Sequence, residues 1–129
     1  MANVWIIDDD TNIRNALESM CRMMGYQVTP FSSATQAGMQ LISGAMMPDI
    51  VFLDINMPGV NGIDFLKFIR QKERWNDIIV IIVSSESQET QVEEVIRSGA
   101  DGYVFKPVNF DELEMAIRIS TKRHEAKKN

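Results

Sequence analysis

Five short apolar runs, each followed by a longer stretch of helical period, constrain the fold of this chain more than any other feature. Residues 4–7 run into Asp8-Asp9-Asp10, 50–53 into Asp54, 78–83 into Ser84-Ser85, and 102–105 into Lys106-Pro107. Residues 26–31 form the weakest run, and Pro30 within it suits an edge strand, where a missing N–H removes no inner ladder bond. Between the runs, Ile13, Leu17, Met20 and Met24 recur at helical spacing over 11–24, with Gly25 as the C-cap. Further helices are expected at 33–43, about 62–72, about 87–98 before Gly99, and about 110–123 with Asn109 as N-cap. Strands apolar along their whole length belong to sheets covered on both faces, and alternation with helices makes such a sheet parallel with right-handed crossovers. The expected fold is α/β: a flavodoxin-like, doubly wound, five-stranded parallel sheet in the order 2-1-3-4-5, with five helices.

Composition excludes several alternatives. At 129 residues the chain is one domain, with a body at 1–121 and a basic polar tail at 122–129. Its one cysteine, Cys21, excludes an internal disulfide and argues against a cysteine-based zinc site; a buried thiol without a role is expected. No apolar run approaches the eighteen or so residues that span a bilayer, and the N-terminus lacks a basic region before its apolar stretch. A cytoplasmic protein that does not engage membranes is therefore expected. Residues 118–129 carry five basic side chains against one acidic, a net of +4, whereas the other 117 carry eight against seventeen, a net of −9. So acidic a body makes direct nucleic-acid binding by this domain unexpected. The tail reads as a solvated helix end, and His124 within it as a solvated side chain.

In doubly wound sheets, ligands bind beyond the carboxyl ends of the strands. The residues there are Asp8, Asp9, Asp54, Ser84 and Lys106. If strands one, three, four and five are neighbours, three carboxylates converge. Two unit charges about 4 Å apart repel by about 4 kcal/mol at an effective dielectric near 20, so the group needs neutralising. Lys106 supplies one positive charge, and a divalent cation balances the remainder. Hard oxygen donors at a partly open site favour Mg2+. A carboxylate so placed is a workable nucleophile toward a phosphoryl group, whose oxygens the metal, Lys106 and the Ser84 hydroxyl could clamp.

The chain resembles the receiver domain of two-component response regulators over residues 3–121. The resemblance rests on Ile6-Ile7-Asp8-Asp9-Asp10 with Arg14, on 54–62 from Asp54 through Met57-Pro58-Gly59 to Gly62, on Val83-Ser84-Ser85, and on 99–107 from Gly99-Ala100-Asp101-Gly102 to Lys106-Pro107. It implies that Asp54 is the phosphoacceptor, served by a sensor histidine kinase or a histidine phosphotransfer protein. It also implies that Asp9 binds Mg2+ directly, Asp8 mainly through water, and the Asn56 backbone carbonyl beside the Asp54 carboxylate. Lys106 would pair with Asp54 and then with the phosphoryl group. Ser84 would move inward, Tyr103 would turn with it, and Lys106-Pro107 would be cis. The switching face would be that of the fourth helix, fifth strand and fifth helix, including Glu93, Arg97 and Tyr103. A homodimer through it could pair Arg97 and Asp101 with Arg118 or Glu112. Asn56 and Glu86 flank the path of the hydrolytic water, so a labile phosphate is expected.

Each residue also has an ordinary reading. Asp8 and Asp9 could belong to a generic helix start, Asp54 to a loop, Ser84 to a cap and Tyr103 to the core. The enzymatic alternative is a haloacid-dehalogenase-like phosphatase with an aspartate nucleophile. That family needs a second acid two residues on, where this chain has Asn56. A flavodoxin-like cofactor binder would need a phosphate-cradling loop where this chain has three aspartates.

Overall fold

The computed structural model describes residues 2–85 and 89–128, with the backbone alone at 89 and 90. The elements are β1 (Asn3–Ile7), α1 (Thr11–Met23), β2 (Gln27–Phe31), α2 (Ala34–Ser43), β3 (Ile50–Leu53), α3 (Gly62–Arg70), β4 (Ile79–Ser84), α4 (Glu89–Arg97), β5 (Gly102–Phe105) and α5 (Phe110–Lys127). A 3-10 turn at Glu73–Trp75, too short to carry a periodic signal, was not expected from the sequence. All strand pairs are parallel, as the apolar runs imply, and the order is β2-β1-β3-β4-β5, the flavodoxin-like order expected. Pro30 lies in β2 at the sheet edge.

Polar side chains define the helix starts. Asp10 accepts from the N–H groups of Asn12 and Ile13, Ser33 from Gln36, Asn61 from Asp64, and Asn109 from Glu112. The strands separate two cores by alternation. Trp5, Ile7, Val51, Leu53, Val80 and Ile82 face α2, α3 and α4 through Leu41, Leu66 and Val95. Val4, Ile6, Phe52, Ile81 and Val83 face α1 and α5 through Leu17, Cys21, Leu113 and Ile117. Cys21 is fully buried, and burial pushes its thiol up to about 12.

Two glycines permit close approaches that fix helix positions. A Cβ at Gly62 would lie 2.5 Å from the Ile55 Cα and collide with the Asp54 carbonyl, so glycine lets α3 start directly behind the β3 end. A Cβ at Gly102 would collide with Ser120 Oγ, so glycine lets α5 lie close on β5.

The end of α5 departs from expectation. The helix continues to Lys127, and His124 is buried rather than solvated, with 7% of its surface exposed. Its Nδ1 lies 3.0 Å from Asp101 Oδ1. Asp101 has no exposed surface and accepts from Arg70 Nη2 at 3.0 Å and from the Val80 N–H at 2.9 Å through Oδ2. Lys127 Nζ lies 3.6 Å from Oδ1, and Arg123 donates to the Asp101 carbonyl. One carboxylate oxygen therefore holds the body of the domain and the other holds the helix end. Asp101 cannot supply a charge to a dimer surface, which corrects the pairing expected for it. Much of the basic tail is engaged within the chain: Arg123 and Lys127 on Asp101, and Lys128 on Asp77 at 3.0 Å.

Candidate functional site

The parallel register brings the strand ends level. Ile7 pairs with Leu53 and Leu53 with Ile82, so Asp8 and Asp54 leave adjacent strands side by side. The Asp8 N–H donates to the Phe31 carbonyl and the Asp54 N–H to the Ile7 carbonyl, which extends the ladder by one step on each side. Ser84 is the last residue of β4 rather than the first beyond it; it pairs with Phe105, and its carbonyl accepts the Lys106 N–H at 2.9 Å. The Lys106–Pro107 bond is cis.

Asp8, Asp9 and Asp54 each offer a carboxylate oxygen within 4.8 Å of the others. Asp8 and Asp54 are buried and Asp9 is exposed, so the cluster opens to solvent on the Asp9 side. Lys106 Nζ lies 3.0 Å from Asp8 Oδ2 and 3.6 Å from Asp54 Oδ1. The nearer pair is ionic without hydrogen-bond alignment, and Asp8 Oδ2 retains unused acceptor capacity in a buried position. Asp8 Oδ1 accepts the Asp10 N–H, and Asp54 Oδ1 accepts the Asn56 N–H at 3.1 Å. The Asp54 carboxyl is held above its ordinary value of 3.8, first by burial. The Asn56 N–H opposes that rise, Asp8 adds to it, Lys106 opposes it, and Asp9 adds to it. Three clustered hard-oxygen donors, with spare acceptor capacity on the buried, lysine-paired Asp8 Oδ2, fit a divalent metal ion.

Asn56 is exposed, and its side-chain amide reaches Ser84 Oγ at 3.5 Å. Tyr103 lies on β5, half-buried, with its hydroxyl donating to Gln91 Oε1 on α4 at 3.2 Å and its ring centroid 5.0 Å from that of Phe105. Glu86, expected beside the water path, lies outside the described residues. Of the expected residues, Asp8, Asp9, Asp54 and Lys106 form one cluster. Asn56 and Ser84 make a second contact alongside it, and Tyr103 sits on the next strand. Arg14, to which the sequence assigns no role, folds its guanidinium back to donate to the Asp8 carbonyl at 2.7 Å. Nothing but its spacing from the acid pair hinted at that contact.

A doubly wound parallel sheet with an acidic cluster and a lysine at its central carboxyl ends defines a class of single-domain folds, and relatives make the assignment specific. Residues 4–118 match the family described as response regulator receiver domain. The chain belongs to that family, the receiver domains of two-component systems. It is 32% identical over 126 residues to the KDP operon transcriptional regulatory protein KdpE of Escherichia coli K12, covering 98% of this chain and 54% of that protein. It is 33% identical over 115 residues to the chemotaxis protein CheY of Pseudomonas aeruginosa, covering 88% of this chain and 91% of that protein. The chain thus spans about half the length of its KdpE relative and nearly all of this CheY. A receiver domain protein from Clostridium thermocellum superposes with a TM-score of 0.84 at 25% identity, covering 98% of both chains. CheY4 of Vibrio cholerae, at 24% identity, shares the fold with a TM-score of 0.83 over 92% of this chain and 97% of its own. Among the described residues no helix is long and apolar enough to cross a membrane.

Proposed function

We propose that this domain accepts a phosphoryl group on Asp54 from a phosphohistidine donor and signals by a change on its α4-β5-α5 face. The observation that carries the reading is the buried Asp54 carboxylate, within 4.8 Å of two further aspartates and 3.6 Å from the Lys106 ammonium. An Asp54 oxygen attacks phosphorus, an O–P bond forms, the N–P bond breaks, and the imidazole leaves with the bonding electrons. Asp9, Asp54 and the Asn56 carbonyl, with Asp8 beside them, would hold Mg2+, and the ion would supply charge neutralisation for the phosphoryl oxygens. Lys106 pairs with the incoming anion, and the Ser84 hydroxyl donates to another of its oxygens. The phosphate is short-lived, because the exposed Asn56 amide leaves water a path to it.

The donor is a sensor histidine kinase or a histidine phosphotransfer protein. An apolar groove of about 500 Å³ beside Lys106, lined by Ile13, Ala16 and Met20 of α1 and by Pro107 and Val108, suits the helix of such a partner. On the output face Tyr103 follows Ser84 inward and gives up Gln91. Phe105, Met115 and Ile119 are exposed there, and they suit a downstream partner or a second copy of the chain. The assay is incubation with acetyl phosphate and Mg2+ followed by intact mass. Wild type is expected to gain one phosphoryl group and Asp54→Asn none; equal labelling of the two would refute Asp54 as the acceptor.

A further inference from the structure

Arg14 stands on α1 within reach of the loop that carries both N-terminal acids. It is half-buried, and its guanidinium spans two acceptors: Nη1 donates to the Asp8 carbonyl at 2.7 Å and Nη2 to Thr11 Oγ1 at 3.4 Å. The other polar groups around Asp8 are held as well. Its N–H is spent on Phe31, its Oδ1 on the Asp10 N–H, and the Asp10 side chain on the first turn of α1. The Asp8 carbonyl belongs to the peptide unit that joins Asp8 to Asp9. That unit is planar, so the direction of its carbonyl also sets where the Asp9 backbone begins. A charge-assisted bond at this length is among the stronger hydrogen bonds.

We infer that Arg14 is a positioning residue for metal binding: by fixing the peptide plane between Asp8 and Asp9 it sets the mutual orientation of the two acids. The inference rests on the phosphoacceptor reading. Two effects of Arg14 oppose each other. Its positive charge beside the acids disfavours a divalent cation, whereas its bond pre-organises the ligands. Outer groups that orient metal ligands commonly change affinity by about 10–100-fold. Bulk solvent on the open Asp9 side weakens the charge effect, so the geometric effect dominates.

The test is calorimetric titration of the full chain with Mg2+, with thermal unfolding in EDTA as the control for folding. Arg14→Gln is expected to bind Mg2+ about tenfold more weakly. Arg14→Lys keeps the charge but loses the planar fork, and is expected to fall between Arg14→Gln and wild type. In metal-free NMR spectra the Asp9 amide resonance is expected to move in both variants. Arg14→Gln that binds Mg2+ as tightly as wild type, or more tightly, overturns the inference. If Arg14→Gln does not fold, Arg14→Lys decides: weaker binding at unchanged thermal stability supports it, and wild-type affinity overturns it. Wild-type protein that binds no Mg2+ overturns the phosphoacceptor reading together with this inference, whereas intact wild-type binding with unchanged variants overturns the inference alone.

Discussion

Replacing Asp54 by Asn should stabilise the metal-free protein, although it removes the proposed phosphoacceptor. The carboxylate oxygens of Asp8, Asp9 and Asp54 lie within 4.8 Å of one another. At an effective dielectric near 20, each pair at that distance repels by about 3.5 kcal/mol. Lys106, 3.6 Å from Asp54, offsets about 4.6 kcal/mol of the two repulsions that Asp54 feels. Asp9 is exposed and its share is screened, which leaves a net relief of about 1–2 kcal/mol on removing the Asp54 charge. The Asn oxygen still accepts the Asn56 N–H, so that bond survives. For a domain of this size the gain is a rise in Tm of about 3–6 °C. The assay is thermal or urea unfolding of both proteins at pH 7 in EDTA.

The sign with pH follows from the raised Asp54 carboxyl. Its folded-state affinity for a proton exceeds the unfolded one, so it favours folding below the ordinary value of 3.8. That contribution is lost as pH rises through the elevated value. The advantage of Asp54→Asn should therefore be full at pH 7 and shrink as the pH falls toward 4. Saturating Mg2+ should reverse the order, since a ligand at 100 times its Kd adds about 2.7 kcal/mol to the form that binds it. An Asp54→Asn protein no more stable than wild type in EDTA at pH 7 would refute the charge argument.

Three other outcomes follow from the packing. Asp101→Asn should lower the urea-unfolding free energy by about 3–5 kcal/mol, because Arg70 would stay half-buried without its counter-ion, and hydrogen exchange in the last turns of α5 should speed up. A loss below 1 kcal/mol would show that the Asp101 contacts contribute little. Gly102→Ala should cost about 1–3 kcal/mol by overpacking against Ser120 Oγ, with part recovered when Ser120→Ala is added; calorimetric unfolding of the single and double variants checks this. Cys21, pushed up to about 12 by burial, should react with a thiol reagent at pH 8 only when urea unfolds the domain, and rapid labelling of the native protein would contradict its burial.

The local order of residues was enough to read a parallel sheet covered on both faces and the polar residues that stand at its rim. Apolar runs at 4–7, 50–53, 78–83 and 102–105 bury both faces of a strand, and such strands joined by helices leave one family of topologies open. Because parallel register aligns the carboxyl ends, the polar residue after each run falls at a common rim, which makes Asp8, Asp9, Asp54 and Lys106 legible in the chain alone. Tertiary structure decided what depends on distant segments meeting. His124 stands among lysines and an arginine on the last turns of α5, so its neighbours read as solvated; burial comes from Asp101, 23 residues away, when α5 lies on β5. That approach depends on Gly102 and Ser120 meeting, which no window of sequence displays. Arg14 is the intermediate case. Its spacing from the acid pair is visible in the chain, but a hydrogen bond to a backbone carbonyl carries no side-chain signature at the acceptor, so the contact emerges only once the helix has turned the guanidinium back over the loop.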